Sequence, residues 1–217
     1  MSKYIVIFSK EGYAKYTSHL DINRLFRRSI RKQGIKLAYS QGFNPHPKMS
    51  FGQPLSLGYE AKREVLEIET QENYQCWYIK DKLSDAMPQG IEIIDCIFCP
   101  DNIKSLAANA EYAIYEVKFP EIVNLNDYLN DYLGQNRIIA AKKNKKKEIV
   151  EIDIKEKIRE IVLYNNNIMS LKLDCGSLSN LSPELVISTF IKFSGLKIDR
   201  SDIEVCRTKI GFKGIDI

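Results

Sequence analysis

Apolar and polar positions change period several times along this chain, and each change marks an element. Residues 4–8 form an unbroken apolar, β-branched run, the pattern of a buried strand. At residue 18 the period becomes helical. Ser18 stands as N-cap with Asp21 at the third helical position, a helix-opening capping pair, and Gly34 is suited to the stop after about residue 33. Between them Ile22, Leu25, Phe26, Ser29 and Ile30 share one face. Arg24, Arg27, Arg28 and Arg31 share the opposite one, at i, i+3, i+4 and i+7. Residues 36–40 read as a short strand and 41–58 as a long loop or loosely paired hairpin. Residues 63–70 alternate as a strand (Val65, Leu66, Ile68), 74–87 read as a helix and 91–98 as a strand. That order, β-α-β-β-α-β, is the ferredoxin-like unit, in which two helices cover one face of an antiparallel sheet.

The second half partly repeats the pattern. Residues 111–119 read as a strand and 125–133 as a helix. Residues 137–142 and 148–154 make a hairpin across a lysine-rich turn, and 160–164 and 169–174 a second hairpin around three asparagines. Ser182 caps a helix over 183–194 with Pro183 at its first position, and 203–210 closes as a strand. The expected fold class is therefore α+β: two tandem ferredoxin-like (βαββαβ-type) antiparallel sandwiches, the second irregular. The expected domains are 1–100 and 110–217, joined near residues 100–109.

Composition narrows the class. A chain of 217 residues with 44% hydrophobic and 10% aromatic content has the make-up of a folded protein, long enough for two small cores. No apolar run approaches the roughly 20 residues that span a bilayer, and the amino terminus carries no signal-cleavage pattern. Five cysteines at irregular spacing form no disulfide framework, so a cytoplasmic protein with reduced thiols is expected. The net charge is only +4, yet between residues 22 and 58 stand Arg24, Arg27, Arg28, Arg31, Lys32, Lys36 and Lys48 with no Asp or Glu among them. Four guanidiniums within two to three turns repel one another unless anions lie opposite, and Arg suits bidentate contact with phosphate. The basic stretch reads as a grip on a nucleic-acid backbone.

The loop that follows adds candidate base contacts. Gly42 permits a positive φ, while Pro45 and Pro47 stiffen the backbone and restrict Asn44 and His46. Tyr39, Phe43 and Phe51 are placed to stack bases, Ser40, Gln41 and Asn44 to read polar edges, and Lys48 to add charge. The expected nucleic-acid contacts are Arg24, Arg27, Arg28, Arg31, Ser40, Gln41, Phe43, Asn44, His46 and Lys48. The chain's two histidines, His19 and His46, both lie in this region. As a pair they have the chemistry of a metal-independent ribonuclease, and Asp21 that of an acid or base in RNA modification. No catalytic residue is assigned; His19, His46 and Asp21 are the candidates.

The remaining motifs are weak. Cys96 and Cys99 form a lone C-x-x-C, which zinc would need Cys175 and Cys206 to complete. No metal and no cofactor are expected. The lysine run at 142–147 reads as a solvated hairpin tip or a second phosphate contact. A Walker loop, a G-x-S-x-G elbow, H-E-x-x-H and the C-x-x-x-C-x-x-C cradle of radical S-adenosylmethionine (SAM) enzymes are absent.

The SHLD at 18–21, the FRRSIR helix at 26–31, YSQGFNPHP at 39–47, Ser50-Phe51 and PLSLG at 54–58 resemble the bacterial radical-SAM-linked family, domain of unknown function 2344. The motif positions are Ser18, His19, Leu20, Asp21, Arg27, Ser40, Gln41, Gly42, Phe43, Asn44, Pro45, His46, Pro47 and Gly58, within residues 12–70. The resemblance is to the stand-alone form without the radical SAM domain. It implies an accessory or substrate-presenting partner of a radical SAM enzyme, and it assigns no catalytic residue. The expected function is an RNA-binding accessory protein, with RNA and a radical SAM enzyme as partners and no membrane. Two other classes stay open: an RNA-processing or RNA-modifying enzyme using His19 and His46, and a protein-protein adaptor for a radical SAM enzyme.

Overall fold

A computed structural model describes residues 1–99, 105–144, 146–215 and 217. Of the expected interdomain connection, residues 100–104 lie outside the described residues, as does Lys145 of the lysine run. The protein is mixed α+β and forms two compact units, Met1–Ala110 with Arg207–Ile217, and Glu111–Cys206. The last strand thus returns its C-terminal residues to the first unit, which local periodicity does not reveal. Among the described residues no helix is long and apolar enough to cross a membrane.

The first unit begins with β1 (Ser2–Lys10), buried on both faces from Tyr4 to Lys10. Alternation divides its residues. Tyr4, Val6 and Phe8 face one core with Ile22, Phe26, Ile30 and Ile79, while Ile5 and Ile7 face a second with Val65, Cys99, Leu106 and Phe212. A single turn, Gly12–Tyr16, leads to α1 (His19–Lys32). The Ser18 Oγ accepts from the Asp21 amide at 3.2 Å and donates to the Asp21 carboxylate at 2.7 Å, so the cap forms as its sequence requires. At the other end Gly34, at φ 75°, lets its own amide reach the Arg31 carbonyl and the Ile35 amide the Ile30 carbonyl, a Schellman close.

Next come β2 (Met49–Phe51), β3 (Glu60–Thr70), α2 (Cys76–Ser84), β4 (Ile91–Phe98) and a four-residue helix, α3 (Leu106–Asn109). Strand order is β4-β1-β3, with antiparallel β1–β3 (Val6 opposite Leu66) and β1–β4 (Val6 opposite Cys96). β3 also pairs with antiparallel β2 and neighbours the C-terminal strand, β10 in chain order (Glu204–Phe212). Two expectations shift for identifiable reasons. The strand at 36–40 reduces to bridges at Leu37–Thr70 and Tyr39–Pro47, because Pro47 has no amide hydrogen with which to extend a ladder. The helix at 74–87 starts two residues later, because the Tyr4 hydroxyl accepts from the Tyr74 amide at 2.7 Å and donates to its carbonyl at 2.8 Å.

The second unit contains β5 (Ala110–Lys118), α4 (Asn126–Gly134), β6 (Ile139–Lys143), β7 (Ile149–Asp153), β8 (Ile158–Asn165), β9 (Ile168–Asp174) and α5 (Pro183–Ser194). β9 lies between β5 and β8, antiparallel to both. The β6–β7 hairpin forms a two-stranded sheet of its own. Tyr132 of α4 meets Phe190 of α5 edge-on at 5.2 Å, and its hydroxyl lies 2.8 Å from the Thr189 hydroxyl. Burial pushes that phenol up to about 12.

Candidate functional site

The C-terminal half of α1 and the loop after it bound a groove of about 790 Å³. Arg27 and Arg31 line it from the helix, Lys36 and Tyr39 from the segment beyond, and Asn44, Pro45, His46 and Pro47 from the loop. The loop is held at its neck. The Ser40 amide donates to the His46 carbonyl at 2.8 Å, and the His46 amide donates back to the Ser40 hydroxyl at 3.0 Å. Lys48 donates its amide to the Ala38 carbonyl at 2.8 Å. Beyond this neck Gly42 takes φ 123° and Phe43 is fully exposed. An exposed Phe is unfavourable in water by its whole side-chain transfer energy, about 1.5–3 kcal/mol, unless something covers it.

The seven cations of the basic stretch are not equivalent. Arg24 pairs with Asp21 at 3.1 Å, Lys36 with Glu72 at 2.7 Å and Lys48 with Glu69 at 2.9 Å. No carboxylate among the described residues pairs with Arg27, Arg28 or Arg31. Of these, Arg27 and Arg31 line the groove, whereas Arg28 is exposed elsewhere on α1. The Asp21 carboxylate is engaged by the Ser18 hydroxyl and then by Arg24, which hold it below the usual carboxylate range. Gln41 is exposed at the loop, and the Ser40 hydroxyl is occupied in closing it.

His19 does not line this groove. It opens a second, much smaller cavity of about 20 Å³ with Lys10, Ile22, Phe51, Gln53 and Glu64. Its ring meets Phe51 edge-on at 5.1 Å, and Phe51 also packs edge-on against Phe26 at 5.9 Å. The structure therefore brings His46 together with Arg27 and Arg31, and His19 with a different set of groups. Beside the small cavity lies a buried ion pair. Arg207 of β10 gives Nε to Glu64 Oε1 at 2.7 Å and a terminal nitrogen to Oε2 at 2.6 Å. It also donates to the carbonyls of Gln53 at 2.9 Å and Pro54 at 3.2 Å. Lys10 is buried nearby, its ammonium donating to the carbonyls of Lys15 at 3.3 Å and Thr17 at 3.0 Å.

Burial lowers the pKa of Lys10; Glu64 opposes that shift and Arg207 adds to it. Burial likewise lowers that of His19, again opposed by Glu64, with Arg207 and Lys10 lowering it further. His19 is thus held neutral at pH 7, with one donor and one acceptor nitrogen. No hydrogen bond reaches either nitrogen from the described residues.

Lys10, Gln53, Glu64 and Arg207 were not among the candidates from the sequence. A signal was present for two of them. Glu64 occupies the phase of β3 shared by Leu66 and Ile68, and Lys10 the phase of β1 shared by Val6 and Phe8. A charge in the core phase of a strand needs a partner, but the partner of Glu64 lies 143 residues away.

The cysteine motif separates. Cys96 packs in the core beneath α1 and α2, and Cys99 in the opposite one. Cys76 of α2 is the thiol within hydrogen-bonding reach of Cys96, and burial pushes both thiols up. Cys175 and Cys206 belong to the second unit. Among the described residues no group of three or more His, Cys, Asp and Glu is placed to hold a metal. In the lysine-rich turn Asn144 Oδ1 accepts the amides of Lys146 at 2.8 Å and Glu148 at 3.0 Å, which shapes the turn without any ligand.

Comparison with curated proteins finds no match. A family model described as an uncharacterized protein conserved in bacteria, domain of unknown function 2344, matches residues 3–183, which include every residue of the groove and, apart from β10, of the small cavity and its ion pair. The chain belongs to that bacterial family.

Proposed function

We propose that this protein is an RNA-binding accessory protein that presents RNA to a radical SAM enzyme. The observation that carries the RNA half is the groove itself. Two guanidiniums that pair with no carboxylate among the described residues line, with an aromatic ring, an amide and an imidazole, a space of about 790 Å³. Arg27 and Arg31 supply phosphate contacts, while Tyr39 and His46 offer stacking surfaces of the kind that hold unpaired bases. Phe43, fully exposed beyond the neck of the loop, offers a further one. The radical SAM partner rests on the sequence resemblance alone, and a cytoplasmic setting on the irregular spacing of the five cysteines. We also read the first unit as ferredoxin-like, which its β4-β1-β3 order with β2 on β3 supports. The separate cavities of His19 and His46 give no support to an acid–base pair, so the accessory reading is preferred to the nuclease.

The test is fluorescence anisotropy with cellular RNA fractions across a salt series, comparing wild type with Arg27→Ala/Arg31→Ala. Two lost phosphate contacts lower the slope of log K against log salt by about 1.4 for a single strand. An unchanged slope removes the groove from the interface. No binding by the wild type at low salt ends the RNA reading, and capture of a radical SAM enzyme would then test the adaptor.

A further inference from the structure

On α1, His19, Asn23, Arg27 and Arg31 follow one another at i, i+4, i+8 and i+12, so they form a single polar ridge. The segment from Asn44 to Gln53 runs along this ridge in the opposite direction. Asn44 and His46 share the groove with Arg27 and Arg31, and Phe51 and Gln53 share the small cavity with His19. Twelve residues of helix separate its ends, about 18 Å, or roughly five steps of ~3.4 Å between about six stacked nucleotides.

The two cavities differ in what they admit. The groove is large enough for a base and its phosphates. The cavity at His19 holds about 20 Å³, room for one water-sized group and too small for a phosphate or a base. Its polar lining is Lys10, His19, Gln53 and Glu64. Glu64 is committed to Arg207 through one bond on each oxygen, whereas no described residue bonds the neutral imidazole, whose donor and acceptor are both available. A hydroxyl, which both donates and accepts, matches that offer in size and in hydrogen-bonding character.

Building on the RNA reading above, we propose that the His19 cavity is a second subsite of the same site, which takes a ribose 2′-hydroxyl of the strand whose phosphates lie on Arg27 and Arg31. The ligand class is then single-stranded RNA rather than DNA, with His19 as the residue that distinguishes them.

The experiment uses the full chain and fluorescein-labelled oligouridylate and oligodeoxyuridylate of about six nucleotides, the length of the ridge. Wild type should bind the RNA oligomer about fivefold more tightly than the DNA oligomer, the worth of one net hydrogen bond. His19→Ala should lower RNA affinity to the DNA level and leave DNA affinity unchanged. The retained DNA binding shows that the variant is folded and the arginine groove intact. Equal affinity of wild type for the two oligomers, or a preference that survives in His19→Ala, overturns the proposal while leaving RNA binding in place. A wild type that binds neither oligomer and no cellular RNA removes the RNA reading, and this inference with it.

Discussion

Removing the carboxylate of Glu64 should be among the most damaging single changes in the first unit. The Glu64 and Arg207 side chains are 4% and 2% exposed, and they meet through two parallel charge-assisted hydrogen bonds. In Glu64→Leu the guanidinium stays buried without its bidentate carboxylate while it still donates to the carbonyls of Gln53 and Pro54, and the Lys10 ammonium loses the Glu64 charge that opposes its desolvation. Breaking a buried pair from one side costs about 3–5 kcal/mol. With a urea m-value of about 2 kcal/mol/M, the midpoint falls by roughly 2 M. Arg207→Met should cost less, because Glu64 then keeps Lys10 as a counter-ion. The double variant Glu64→Leu/Arg207→Met should be more stable than Glu64→Leu alone, since no buried guanidinium is then left without its carboxylate. Urea unfolding followed by far-ultraviolet circular dichroism gives all corners of the cycle. A loss below about 1 kcal/mol in Glu64→Leu, or a double variant that costs the sum of the singles, would refute the reasoning.

Three further outcomes follow from the same geometry. His19 has a folded-state pKa below the ordinary 6.5, so the unfolded chain binds its proton more readily and stability falls as pH drops from 6.5 toward the folded value. Against His19→Gln, the wild type should lose stability through that window and match it in slope above pH 7; an imidazole that titrates at or above 6.5 by NMR contradicts this. Gly52→Ala should destabilise by about 1–3 kcal/mol, because an added Cβ would lie 2.4 Å from a Val65 methyl and 3.0 Å from the Phe212 ring; a thermal midpoint equal to wild type would show that the core yields there. Ser18→Ala should cost about 1 kcal/mol through the lost cap on the Asp21 amide, and an unchanged melting temperature would mean that the Asp21 carboxylate or water replaces it.

Much of the first unit was legible along the chain because its cues are local. Steric and hydrogen-bonding rules that act over four residues place the cap at Ser18, the stop at Gly34 and the arginine face between them. The apolar run at 4–8 and the alternation at 63–70 report burial through period alone. The Arg24–Asp21 pair was also within local reach, three residues apart on one helix, and it lowers the number of available arginines. The loop's stiffness followed from its prolines, and its closure by Ser40 and His46 from no rule of spacing.

What the tertiary structure alone decided is which distant residues share an environment. His19 and His46 lie close in sequence, yet the helix between them carries one to the small cavity and the other to the groove. Cys96 and Cys99 are adjacent in motif but face opposite cores, because a strand turns successive side chains to opposite faces. Glu64 and Arg207 find one another across 143 residues. Periodicity states that a position is buried; it does not state what is buried against it, since that depends on strand order and not on sequence distance. The elements and their charged face were therefore determined by the chain itself, and the partition of that face into one open groove, one small polar cavity and a buried ion pair was decided only when the strands came together.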